Sequence, residues 1–478
     1  MERQTSDTNE WDGSSEYWAH HDELLAAEDY ARSTRNDGWW AAFLIGMLFY
    51  GPQTPPFAVL PPIRSVDAVI LLLWLVRWVK ASRYYGGFLL SYRAKLFSMF
   101  MLGMTAMLVF SMLINIVTGR APFFVKDLFI PIVFIRMVII GAIGASFNFQ
   151  ERQIKQFFKG IIAISLVTVF VAFAQRFQAF GITTLTHKLY AIDFARLETM
   201  ATLKSRVAGS FGNANIFGAG LVMLAGVLMA IAINVKGVLK YLSIATYVGL
   251  AMAVMVTTAS RTALLGLVAV SGFSVILSLR RGSRLWALML MVLIGAGLMF
   301  VRAHAYELPL LPRVQEILTG EGSMTQDAFN ARWGIWMRSL ARARESILFG
   351  TGASKITGQL TDNGYFYTLL RIGILGLILY MSMLAALLVR GLRVLFKEGG
   401  HYQRAVLMAF IVVLINHSIF EVTADIFWGI QYGAIFAAFM GMLCGFTGQI
   451  IYEDDDSRAY EYQSAELEDG NEEFAYGL

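Results

Sequence analysis

Apolar runs long enough to cross a bilayer recur from residue 39 to residue 447 and decide what this chain can fold into. A membrane-spanning helix needs about 20 apolar residues. Within hydrocarbon, only a segment that satisfies its own backbone hydrogen bonds can stand. Twelve runs qualify, near 39–60, 63–79, 96–118, 127–147, 160–180, 211–234, 240–258, 262–279, 285–301, 364–389, 405–420 and 426–447. Pro52, Pro55 and Pro56 should break the first, leaving a short helix with a re-entrant end. The expected fold class is an all-α polytopic membrane protein with about 12 transmembrane helices. At 15% charged and 57% hydrophobic, the chain is no ordinary soluble enzyme, disordered chain or disulfide scaffold. Its single cysteine, Cys444, allows no internal disulfide.

Charge divides the chain into three parts. Residues 1–38 hold ten acids and three bases, and residues 449–478 hold ten acids and one base. The stretch 39–448 carries 35 bases against 14 acids. The expected organisation is an acidic cytoplasmic N-terminal segment, a transmembrane domain over 39–448 and a disordered acidic tail. No cleavable signal peptide is expected, because the first residues are polar and acidic. One alternating set of connections holds seventeen bases, from Arg77, Lys80 and Arg83 through Arg152, Lys155 and Lys159 to Arg390, Arg393, Lys397 and Arg404. The other short connections hold Arg64, Arg120, Lys126 and Arg261. The basic set should face the cytoplasm, with both termini. Long loops at about 181–210 and 302–363 then fall outside, where polar groups can be presented at the membrane surface. A basic body of this kind suits anionic partners, including membrane lipids, rather than nucleic acid.

Several polar groups gather at the expected external ends of spans. Arg206 precedes a run of small residues that ends in Asn213 and Asn215 at a helix N-terminus, where free N–H groups and the helix dipole favour an anion. The same residues also serve as ordinary turns and caps. Arg261 lies in Thr257-Thr258-Ala259-Ser260-Arg261-Thr262, between two apolar helices with almost no loop. A guanidinium held there suits phosphate, although snorkelling to headgroups is the plainer role. The loop before the tenth span predicts an amphipathic helix over roughly 327–347. Phe329, Trp333, Trp336, Leu340 and Ile347 share one face, and Arg332 and Arg344 flank it.

Asp362 opens the tenth span as an N-cap or as a general base toward a hydroxyl, with Asn363 and Tyr365 beside it as candidate substrate-binding groups. His417 and Glu421, one helical turn apart beside Asn416 and Asp425, suit a proton-handling pair or a hydrogen-bonded cap. Arg136, Arg176 and Arg371 fall within spans, and Arg136, in mid-span, must face protein or water, to bind substrate or to pair structurally. No Cys/His cluster suggests a metal site. No nucleotide-binding loop stands out, so no cofactor is expected.

In order, SRVAGSFGNANIFGAGL, TTASRTALLGL, NARWGIWMRSL with SILFGTG, and TDNGYFYTLLRIGILGL resemble the O-antigen polymerase and O-antigen ligase superfamily. The resemblance covers roughly 205–440. It implies a GT-C-like membrane glycosyltransferase of the inner membrane, working without a metal. The donor would be a glycan on undecaprenyl diphosphate, and a chain-length regulator is an expected partner. Arg206, Arg261 and Arg332 match the family's arginines. The ligase branch usually has His where Asp362 stands, which favours the polymerase branch. Arg371 stands where many relatives have an acid, suggesting an acidic glycan.

The expected chemistry follows. Fixed guanidinium groups stabilise the charge growing on the diphosphate leaving group. Asp362, or otherwise His417 or Glu421, takes the proton of the acceptor hydroxyl. Two alternatives stay open: a ligase moving finished glycan to another acceptor, and a transporter or flippase for lipid-linked sugars.

Overall fold

The computed structural model describes residues 33–51, 65–84, 94–120, 124–190, 207–258, 260–278, 323–353, 361, 363–397 and 400–451. The expected ninth span, most of both acidic tails, Arg206 and Asp362 lie outside the described residues.

The described elements are helical. They are α1 (Asp37–Tyr50), α2 (Ser65–Tyr84), α3 (Lys95–Val117), α4 (Phe129–Ala145), α5 (Glu151–Arg176), α6 (Ile182–Tyr190), α7 (Ala214–Asn234), α8 (Val238–Ala253), α9 (Arg261–Ser278), α10 (Ser323–Ala343), α11 (Gly364–Lys397), α12 (His401–Glu421) and α13 (Ile430–Ile451). Eight described helices are long and apolar enough to cross a membrane, so the protein is an all-α, multi-pass membrane protein. The first helix stops at Tyr50, ahead of Pro52.

Two boundaries differ from the hydropathy reading. Helix α5 begins at Glu151, so Arg152, Lys155 and Lys159 ride in its first turns rather than in a connection. A hydropathy window misses such amphipathic turns, where Lys155 pairs with Glu151 on the surface. Arg77 is not a free connection charge either. It is buried in α2, 2.9 Å from the Asp37 carboxylate, with its guanidinium over the Phe147 ring.

Helices α7 and α13 form the centre, each with 89% of its apolar window buried. Small residues allow this. Gly226 of α7 leaves room for Val270 of α9 and Val412 of α12. Gly441 and Gly445 of α13 lie on the backbone of Gly141 and Ala145 of α4, where any Cβ would overlap. Between lipid-solvated helices, van der Waals packing is the main attraction, and small residues let backbones approach closely enough to use it.

Candidate active site

Hydrogen bonds and packing bring four separate stretches to the end of the bundle opposite Arg77. Helix α7 starts at Asn213, whose side chain accepts from the Asn215 N–H at 2.8 Å. The preceding turn uses positive φ at Gly209 and Gly212, a conformation glycine takes without strain. Gln175, buried at the end of α5, grips that turn. It accepts from the Gly209 N–H at 3.0 Å and donates to the Gly209 carbonyl at 3.4 Å. The Val207 N–H then donates to the Thr257 carbonyl at 2.9 Å. The residue after Arg206 is thereby fixed on the π-helical turn Val254–Thr258, just ahead of Arg261.

Arg261 is half-buried in the first turn of α9, which Ser260 caps by accepting from the Ala263 N–H. Gly218 of α7 lies against Ala263 and Ser260, so the N-termini of α7 and α9 touch. Both present the positive end of a helix dipole to the same region.

The third stretch opens α11. Asn363 accepts from the Phe366 N–H at 3.0 Å, and its amide donates to the Val422 carbonyl at 2.8 Å. The Tyr365 hydroxyl donates to the Ser418 carbonyl at 3.0 Å. The fourth stretch ends α12, where Phe420 packs on Gly266 of α9. Asn416 donates to the Ala219 carbonyl of α7 and to the Tyr432 hydroxyl.

His417 and Glu421 are fully buried and reach different partners. His417 Nε2 lies 2.7 Å from the Tyr380 hydroxyl, with the ring stacked on Phe436 at 3.8 Å between centroids. Glu421 Oε1 accepts from the Phe427 N–H at 2.6 Å, and Oε2 lies against Gly364. Both therefore brace α11, α12 and the turn between α12 and α13.

Two of the intramembrane arginines, Arg136 and Arg371, are also engaged. Arg136 Nε lies 2.7 Å from Asp67 Oδ1, and Nη1 donates to the Ile430 carbonyl at 3.1 Å. Arg371 is buried in α11, where Nη1 donates to the Gly352 carbonyl at 3.1 Å and Nη2 to the Tyr367 hydroxyl at 3.0 Å. Its guanidinium also lies over the Tyr367 ring. Its guanidinium thus has partners within the protein on both sides.

The amphipathic helix is α10, and it ends at Ala343, so Ile347 lies beyond it in a turn. Its apolar stripe is divided. Trp336 packs on Phe366, and Ala343 and Leu340 pack with Leu369 and Leu370 of α11. Trp333 and Met337 stay exposed to the surroundings. Arg332 is half-buried on this helix.

Sequence reasoning missed Gln175, Ser111, Asn115 and Tyr380. Each is a polar group inside an apolar run, which is the signal that could have found them.

Residues 246–381 match the family model described as O-Antigen ligase. The matched segment runs from α8 into α11 and holds Arg261, Arg332, Asp362, Asn363 and Tyr365. It supports the O-antigen ligase and polymerase superfamily, whose members are glycosyltransferase-like membrane enzymes acting on lipid-linked glycans. No curated protein matches the chain.

Proposed function

We propose that this chain, with its O-antigen ligase-family segment at 246–381, is a membrane glycosyltransferase that polymerises undecaprenyl-diphosphate-linked repeat units on the external face of the inner membrane. The observation that carries the reading is the convergence of residues 207–218, 260–266, 363–367 and 416–428 at one end of the bundle. Two cationic positions in sequence, two helix N-termini and the capped start of α11 there suit a diphosphate and an attacking hydroxyl.

In this reading Arg206 and Arg261 hold the diphosphate, aided by the α7 N-terminus at Asn213 and Asn215. Arg332 on α10 approaches the same anionic headgroup. The acceptor hydroxyl oxygen attacks the anomeric carbon as the bond to the diphosphate oxygen breaks. Asp362 takes the hydroxyl proton, and polyprenyl diphosphate leaves with its bonding electron pair. The guanidinium groups offset the charge that grows on it. Burial of His417 and Glu421 supports Asp362 over them as the base. Asn363 and Tyr365 hold the start of α11 against the end of α12.

The test is purified protein in liposomes given defined undecaprenyl-diphosphate repeat units, with EDTA present. A ladder of lipid-linked oligomers is expected. The family description favours one second reading, a ligase. Transfer only after lipid A-core is supplied would establish that reading instead. Substrate crossing the bilayer with no glycosidic bond made would overturn both.

A further inference from the structure

Helix α11 is broken once within the bundle. Gly373 takes φ +69°, and the turn at 347–352 fills the gap. In hydrocarbon each freed backbone group must find a partner within the protein. Here the Thr351 N–H donates to the Leu370 carbonyl at 2.7 Å, and the Ile374 N–H to the Ile347 carbonyl at 2.8 Å. A Cβ at Gly350 or Gly373 would overlap the opposing backbone, so both positions require glycine.

Arg371 grips one residue of that turn at both ends. Its carbonyl accepts from the Gly352 N–H at 2.9 Å, while its guanidinium donates to the Gly352 carbonyl at 3.1 Å. Helix α3 closes the far side. Ser111 Oγ donates to the Arg371 carbonyl at 3.1 Å, and Asn115 Nδ2 donates to the Gly350 carbonyl at 2.9 Å. Phe110 meets Phe349 edge to face, 5.2 Å between centroids.

The chain from Ala343 to Gly350 is a single 3₁₀ turn and a bend, so α10 is tied to this turn with little slack. Its other anchors are the Trp336–Phe366 contact and the packing of Leu340 and Ala343 on Leu369 and Leu370.

We propose that Arg371 is a positioning residue: by locking Gly352 into the break in α11, it fixes where the arginine-bearing helix α10 stands at the reaction end. The proposal rests on the transferase reading for its kinetic arm, but not for its structural one. An arginine that only positions α10 should govern donor capture, not the chemical step.

The experiment uses the full-length protein in membranes with Cys444 replaced by serine. The pair Phe110→Cys and Phe349→Cys reports whether the turn is docked, independent of activity. Arg371→Gln should lower the cross-linked fraction about fivefold, because the guanidinium bonds to Gly352 and Tyr367 are weakened. In the Cys444→Ser protein without the added cysteine pair it should raise the donor KM about tenfold and leave kcat within about twofold. Arg371→Lys, which keeps a charged donor, should recover part of both. Asn115→Ala touches the same turn from α3 and should shift KM and cross-linking in the same direction. If Arg371→Gln does not accumulate folded, Arg371→Lys and Asn115→Ala make the same comparison.

An unchanged cross-link with kcat down about a hundredfold would put Arg371 on the reacting groups and overturn the proposal. So would an Asn115→Ala protein indistinguishable from the parent. Absence of transfer by the unsubstituted protein would reject the transferase reading, while the cross-link would still decide the lock.

Discussion

The Glu421 carboxylate rests on the bare Cα of Gly364. Oε1 holds the Phe427 N–H, and Oε2 occupies the space a Cβ at 364 would need. Position 364 must therefore stay without a side chain as long as position 421 carries a long acid. Gly364→Ala should destabilise the protein by about 1–3 kcal/mol, the usual result of overpacking a tight site. Glu421→Ala alone leaves the Phe427 N–H buried without its acceptor, at a cost of about 1–3 kcal/mol. Together the two changes remove the clash, so the double variant should lose less than the sum. Thermal unfolding in detergent reads this directly. Strict additivity would mean that the two residues do not share the space.

Glu421→Gln separates bracing from proton transfer. The amide oxygen still accepts from Phe427, and the shape is kept. We expect turnover within about threefold of the parent, because only the proton-accepting capacity is lost. Asp362→Asn should abolish transfer while donor binding persists. The reverse pattern in kinetic assays would move the base to Glu421.

Arg261→Ala and Arg206→Ala should each lower kcat by about a hundredfold or more, as loss of a preorganised charge at a leaving group does. Arg261→Lys should recover little, because an ammonium cannot bind a diphosphate bidentately. Normal polymer yield from correctly folded Arg261→Ala and Arg206→Ala proteins would end the diphosphate role.

Spans were legible because hydrocarbon imposes length and composition, and both are written along the chain. The cap residues Asn213 and Asn363 were legible for a similar reason, since short polar side chains at helix starts have local work to do. Tertiary partners were not. Nothing along α4 indicates that Arg136 pairs with Asp67, because the two residues lie on different helices. The break at Gly373 is equally silent: one glycine in an apolar run is common, and the turn that fills the gap precedes it in sequence. The spacing of Ile347 fits a continued α10, yet its carbonyl accepts from the Ile374 N–H. That bond outcompetes another turn of helix, since it also satisfies the break in α11.

The Asp67–Arg136 pair distinguishes architecture from substrate binding at the one arginine for which the sequence left both open. The pair is partly shielded, with side-chain exposures of 26% and 14%. Removing one partner leaves a poorly solvated charge, so Asp67→Asn or Arg136→Met alone should destabilise by about 1–3 kcal/mol, between surface and buried values. Removing both leaves no uncompensated charge, and methionine fills much of the arginine's volume. The double variant should regain part of the lost stability, and its donor KM should match the parent's. Restored stability with a donor KM still raised would instead assign Arg136 to the substrate, because a structural pair can be replaced but a ligand cannot.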